Sequence, residues 1–439
     1  MQKAAVALIC FTLFAANPAS NAMQQESDLI APAQVFVDQL SKGNFDSAVA
    51  TFDDTMKAVS PPAKLKAVWD ALVKQAGGFK ARMGVRTERA GQYRFVFVLC
   101  QFENESLEIK LVYDSIGRIA GIGFVPSYKA PSYARPEAFT ETDVHVGSGE
   151  WVLPGTLTVP KGTGPVPALV LVHGSGANDR NESIGPLHPF QDIAWGLATH
   201  GVAVLRYDKR TKVYQQKLAS FKGSFSVKEE TIDDALAAVE LLRHTPEIDP
   251  KRIFVLGHSL GGMVGPRIAA QDPRLAGLII LAGNTRGLEQ LMLAQFDYLI
   301  SLGGPQAEAT KTSFEKIKEQ LAKLHDPNTP STQVIVGAPL TYWKDMDAYN
   351  PGEVAASLKM PILVLQGERD YQVTLSDFAG WKKSLGGHSN VKFKTYPKLN
   401  HVLMEGEGKS TPDEYAIPGN VAAYVIDDIA RWVKSGSMS

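Results

Sequence analysis

The sequence has 439 residues, 44% of them hydrophobic and 21% charged. A chain of that length exceeds what one hydrophobic core usually supports, so two folded units are expected. Lys plus Arg number 45 against 46 Asp plus Glu and cluster nowhere, which removes the electrostatic footprint of nucleic-acid binding and favours neutral or modestly polar ligands.

The chain opens with Met1-Gln2-Lys3 and an apolar run from Ala4 to Ala16, followed by small residues up to Ala22. A charged start, a short apolar run and Ser20-Asn21-Ala22 predict a signal peptide over residues 1–22, hence a periplasmic or secreted protein. The run is shorter than the roughly 20 residues of a membrane span, so no stable membrane insertion is expected. Cleavage leaves Cys100 as the only cysteine, which excludes an intramolecular disulfide. Within Phe95–Phe102 it reads as a core filler.

Residues 27–126 begin helical and end strand-like. Ala33–Leu40 carries apolar residues at helical spacing, Gly43 stops it, Phe45–Phe52 restarts it, and Lys64–Gln75 puts Leu65, Val68, Trp69 and Leu72 on one stripe. Asp53-Asp54 reads as a helix end. Tyr93–Phe102, Ser106–Tyr113 and Ile116–Phe124 read as antiparallel strands, giving a small α+β unit. A proline-rich linker is expected over 127–139.

The second domain, 140–437, opens with two strands between Thr140 and Val159 that turn around Leu153-Pro154-Gly155. Strands then alternate with helices. Strand Ala168–Val172 precedes helix Phe190–His200, strand Val202–Tyr207 precedes helix Lys228–His244, and strand Ile253–Leu256 precedes helix Leu260–Gln271. Strands Gly277–Ala282, Ile362–Gln366 and Lys392–Tyr396 and a last helix Val421–Val433 complete the series. Apolar strands alternating with helices define an α/β class with a mostly parallel sheet covered on both faces. Residues 284–360 interrupt it with helices Leu288–Leu302 and Glu308–Leu324, a cap beside the sheet's carboxyl edge.

One serine stands out. Gly257-His258-Ser259-Leu260-Gly261-Gly262 follows an apolar strand and opens a helix, a corner that needs glycines at its flanks and lifts the hydroxyl above the sheet. A serine nucleophile needs an imidazole base held by a carboxylate. Asp370 and His401 each follow a buried strand, so both fall on the edge that carries Ser259. Glu368 is the alternative acid. Metal-ligand spacing is absent from the sequence, and no cofactor or metal is expected.

The segments Gly257–Gly262, Gly367-x-x-Asp370-x-x-Val373 and Asn400-His401, in that order, resemble the α/β-hydrolase superfamily over roughly residues 140 to 435. His173-Gly174-Ser175-Gly176 and Asp208-Lys209-Arg210 are similar to bacterial esterases near the serine-aminopeptidase-like branch. Here Thr211-Lys212-Val213 replaces that branch's glycine-rich turn. Leu40–Ala48 resembles the cone-shaped nuclear-transport-factor-2-like fold, in a version of unknown function. The resemblance implies a serine carboxylesterase acting on small to medium acyl esters, with Ser259 as nucleophile, His401 as base and Asp370 as orienting acid. The N–H groups of Leu260 and Ser175 would form its oxyanion hole. Tyr342, Trp343 and Val402 are candidate pocket residues. His258 is assigned to packing, His173 to a structural hydrogen bond, and Asp179, Arg180, Asp208 and Arg210 to loop-fixing ion pairs. A serine aminopeptidase or amidase, with Glu289, Glu308 and Glu315 available for an α-amino group, remains open. So does a non-catalytic ligand-binding protein.

Overall fold

The computed structural model describes residues 22–90, 93–162, 164–219, 225–304 and 307–435. The expected signal peptide lies outside them except for Ala22. Two units meet at Lys129 and Ala130.

In the first unit, helices Ala22–Ser41, Phe45–Ala50, Asp54–Val59 and Pro62–Ala76 precede strands β1 (Phe79–Ala90), β2 (Tyr93–Phe102), β3 (Ser106–Tyr113) and β4 (Ile119–Pro126). The strands pair antiparallel in sequence order. Alternation in β3 turns Leu107, Ile109, Leu111 and Tyr113 onto a core shared with Phe36, Leu40, Trp69 and Cys100. Asp53 caps the third helix by accepting the Met56 N–H at 2.7 Å. Strand β1 was not anticipated, because its charges disguise it. Lys80, Arg82 and Arg86 pair with Glu103, Asp38 and Glu108.

The second unit holds an eight-stranded sheet. Its strands are β5 (Phe139–Val146), β6 (Leu153–Pro160), β7 (Val166–Val172), β8 (Ala203–Tyr207), β9 (Ile248–His258), β10 (Gly277–Leu281), β11 (Ile362–Gly367) and β12 (Val391–Tyr396). The spatial order is β12-β11-β10-β9-β7-β8-β6-β5. Pairing is parallel from β8 to β12, with β5 and β6 added antiparallel. Strand β7 shows why the runs are wholly apolar. Leu169 and Leu171 face one core while Ala168, Val170 and Val172 face the other.

Three expectations change. Leu153-Pro154-Gly155 is no turn but the start of β6, where Gly155 pairs with Tyr207 and a Cβ would come within 2.9 Å of the Arg206 carbonyl. The expected linker is shorter, since residues from 130 onward belong to the second unit. There the Tyr133 hydroxyl donates to the Val421 carbonyl at 2.8 Å and the Arg135 N–H to Thr199 Oγ1 at 3.0 Å. Helix Leu375–Leu385 packs beside β11 and was missing from the sequence reading.

The segment expected as a cap holds helices Leu288–Ser301, Ala307–Leu321, Leu340–Asp347 and Pro351–Ser357. Its later part is tied to helix Leu260–Gln271: Arg267 pairs with Asp345 at 2.9 Å, and the Tyr349 hydroxyl donates to the Met263 carbonyl at 2.9 Å.

Candidate active site

Ser259 stands between the end of β9 and helix Leu260–Gln271 with φ 54 and ψ −118. An L-residue at positive φ stores about 1–3 kcal/mol of strain that the surroundings must hold. They do so through backbone contact. A Cβ on Gly257 would lie 2.1 Å from the Gly261 carbonyl oxygen, and one on Gly261 2.2 Å from that of Val172. The Ser259 N–H donates to the Leu281 carbonyl at 3.0 Å, locking the corner to β10.

Asp370 follows β11 and His401 follows β12, on the edge where the parallel strands end. His401 Nδ1 lies 2.7 Å from Asp370 Oδ2. Asp370 Oδ1 accepts the N–H groups of Gln372 and Val373 at 2.8 and 2.9 Å, and Oδ2 also accepts Gln366 Nε2 at 3.0 Å. The carboxylate is therefore fixed on both oxygens. Asn400 holds the turn around His401, its Oδ1 accepting the N–H groups of Val402 and Met404. Among the described residues Ser259 Oγ makes no hydrogen bond. Glu368, the alternative acid, accepts the Thr395 hydroxyl instead.

Side chains of Glu182, Lys209, Asn178 and Thr211 hold the loop after β7. The Gly174 N–H donates to Glu182 Oε1 at 2.6 Å. The Gly174 carbonyl accepts Lys209 Nζ at 2.8 Å and Asn178 Nδ2 at 3.2 Å. The Ser175 carbonyl accepts the same amide at 3.1 Å, and the Gly176 carbonyl accepts the Thr211 hydroxyl at 3.1 Å. No acceptor among the described residues takes the N–H of Ser175 or of Leu260, the two expected oxyanion donors.

Glu182, with φ 52, is the residue that sequence reasoning missed, and His258 is more than packing. His258 Nδ1 lies 2.8 Å from Glu182 Oε2, and its Nε2 lies 3.0 Å from the His401 carbonyl oxygen. A carbonyl can only accept, so His258 donates from Nε2; facing an ionised Glu182, which also only accepts, it donates from Nδ1 as well and is an imidazolium paired with a carboxylate. Burial opposes that charge, but Glu182 outweighs it and holds His258 above its ordinary value. Glu182 in turn is kept below the usual carboxylate range, with His258 overcoming the cost of burial. The rings of His258 and His401 stand 4.7 Å apart.

His173 is the expected structural donor, its Nε2–H reaching the Asp179 carbonyl at 3.0 Å. Burial holds it down to about 4 from an ordinary 6.5. A histidine depressed in the folded state loses stability as pH falls from its unfolded value toward its folded one. Between pH 7 and pH 5 that amounts to about 2 kcal/mol. Urea unfolding of His173→Gln, which keeps a donor but does not titrate, should show the variant gaining that much on the parent between the two pH values. Equal pH dependence of the two proteins would remove the assignment.

Two of the three candidate pocket residues lie in the interior. Tyr342 is buried with its hydroxyl donating to Glu230 Oε2 at 2.6 Å, and Trp343 Nε1 donates to the Ile335 carbonyl at 2.8 Å, so both anchor the cap core. Val402 is buried against Leu187, Met404 and Tyr415 and lines a small cavity together with Glu182, Phe190 and His258. Asp179 fixes its own turn through the N–H groups of Asn181 and Ser183. Arg180 is held by Asp208, Asp143 and Thr156, and Arg210 pairs with Asp234. Glu289, Glu308 and Glu315 pair with His325, Lys311 and Lys318.

Residues 165–408 match the family described as serine aminopeptidase, S33, and residues 33–122 match one described as a protein of unknown function, DUF3887. Esterase EstD of Thermotoga maritima is 38% identical over 406 residues, covering 91% of this chain and 94% of that protein. The acylamino-acid-releasing enzyme of Rattus norvegicus is 23% identical over 56% of this chain and 30% of its own length. Among solved structures, Est1E from Butyrivibrio proteoclasticus aligns over 67% of this chain and 99% of its own at 16% identity, with a TM-score of 0.44.

Proposed function

This chain belongs to the serine aminopeptidase, S33, family, and from that premise we propose that it is a serine carboxylesterase working through Ser259, His401 and Asp370. The observation that carries the reading is the Asp370–His401 contact at 2.7 Å on the sheet edge where Ser259 sits strained at positive φ. Ser259 Oγ attacks the ester carbonyl while His401 Nε2 takes its proton, Asp370 keeping Nδ1 protonated. The carbonyl oxygen, now negative, meets the N–H groups of Ser175 and Leu260. Collapse expels the alcohol, which takes the proton from His401. A water deprotonated by the same imidazole then cleaves the acyl-enzyme to the carboxylic acid and restores Ser259.

The ester reading is preferred to the aminopeptidase one because the cap glutamates available for an α-amino group are paired with their own neighbours. The N-terminal residues support export with cleavage after Ala22, and N-terminal sequencing of secreted or periplasmic material tests it. For the activity, p-nitrophenyl esters of increasing acyl length are compared with aminoacyl p-nitroanilides, and the adduct of a fluorophosphonate is mapped. Ester turnover well above arylamide turnover, with label on Ser259, is expected. Faster arylamide cleavage, or label elsewhere, would overturn the reading.

A further inference from the structure

Lys209 follows β8 and is almost fully buried, at 2% exposure. Its ammonium lies 2.7 Å from Glu230 Oε1, and Glu230 is 1% exposed. Glu230 sits in the π-helical turn Lys228–Ile232, and its other oxygen accepts the hydroxyl of Tyr342 from the cap at 2.6 Å. A buried ion pair is weak as a stabilising device, since desolvation cancels much of its attraction and an apolar pair often serves as well. The position of this one points to another role.

The second contact of the Lys209 ammonium is the Gly174 carbonyl oxygen, at 2.8 Å. That carbonyl belongs to the same planar peptide as the Ser175 N–H. In a trans peptide the two groups point in opposite directions, so an anchor on the oxygen aims the N–H. The second anchor, Asn178 Nδ2 at 3.2 Å, pulls the same way. A cation on the oxygen side also draws electron density through the amide and makes the N–H a stronger donor, an effect that a low-dielectric surrounding enlarges. On the other side of Gly174, Glu182 holds the preceding N–H, so the loop cannot rotate to compensate.

We propose that Lys209 is a positioning residue of the oxyanion hole: it aims and polarises the Ser175 N–H through the Gly174 carbonyl, and Glu230 with Tyr342 of the cap holds its ammonium in place. The proposal rests on the hydrolase reading of Ser259. It also gives the cap a chemical connection to the reacting centre that passes through no substrate contact.

The test compares the parent protein with Lys209→Met/Glu230→Gln, which leaves no orphaned charge and keeps an acceptor for Tyr342. Because one oxyanion donor is worth on the order of 100- to 1000-fold, weakening it should lower kcat for p-nitrophenyl acetate by about 10- to 100-fold with KM within about threefold. Affinity for a trifluoromethyl ketone, whose adduct carries the oxyanion, should fall by the same factor as kcat/KM. Unchanged kcat, or a rise in KM alone, overturns the proposal. If the double variant does not fold, Lys209→Arg and Lys209→Gln replace it: activity kept by the cation and lost with the neutral donor supports the role, and equal activity of the two overturns it. Fluorophosphonate labelling separates the two levels. A parent protein that neither labels on Ser259 nor cleaves esters sinks the hydrolase reading and this proposal with it, whereas a reactive parent with an unaffected variant sinks only the role of Lys209.

Discussion

Ser259→Ala is expected to lower ester turnover by about a million-fold while thermal stability stays near that of the parent. The loss is large because the hydroxyl is the only group at the corner that can form the acyl-enzyme. The N–H groups of Ser175 and Leu260, the proposed oxyanion donors, survive the change and would account for whatever catalysis remains over water. Stability should hold because the strain is in the backbone, at φ 54, and alanine inherits it along with the close contacts of Gly257 and Gly261. Initial rates on p-nitrophenyl acetate with a thermal melt of the same sample check both halves. A variant hydrolysing at the parent's rate would remove Ser259 from the mechanism.

Asp370→Asn is expected to cost about 10⁴-fold in kcat, with the fold retained. Asp370 Oδ1 accepts two backbone N–H groups, from Gln372 and Val373, and the asparagine carbonyl will take that place. Its NH₂ then faces His401 Nδ1. A donor there makes Nδ1 the acceptor and puts the ring proton on Nε2, the nitrogen that has to take the proton of Ser259. Activity should therefore return partly at high pH, where hydroxide can serve as base. A pH–rate profile parallel to that of the parent would argue against a tautomer-fixing role.

The sheet was legible because its inner strands are buried on both sides, which leaves unbroken apolar runs such as Leu278–Leu281 and Ile362–Leu365. The placement of Ser259, Asp370 and His401 on one edge was legible for a related reason: each stands just beyond one of those runs, where parallel strands deliver their ends. Glu182 has no such marker. It lies in an irregular loop, and its partner His258 is 76 residues away, so neither periodicity nor spacing links them. Its nearness in sequence to His173-Gly174-Ser175 was the one available hint. Tyr342 and Trp343 misled because an aromatic pair on a cap helix looks the same whether it faces a pocket or the interior. Only the positions of Glu230 and the Ile335 carbonyl decide. Strand β1 and the Leu153-Pro154-Gly155 segment failed in opposite ways, the first hidden by paired charges and the second by a turn-like dipeptide whose glycine answers to a neighbouring carbonyl.

The groups around Ser259 arrive on the ends of β7, β8, β9, β11 and β12, spread along the chain from Gly174 to His401. No sub-fragment of the sheet contains them together. Non-local parallel pairing is slow to form, since loop-closure entropy is lost before contacts repay it. During refolding, hydrolysis should accordingly return last, after helical content and after the burial of most tryptophans. Recovered turnover then serves as a clock for completion of the whole sheet.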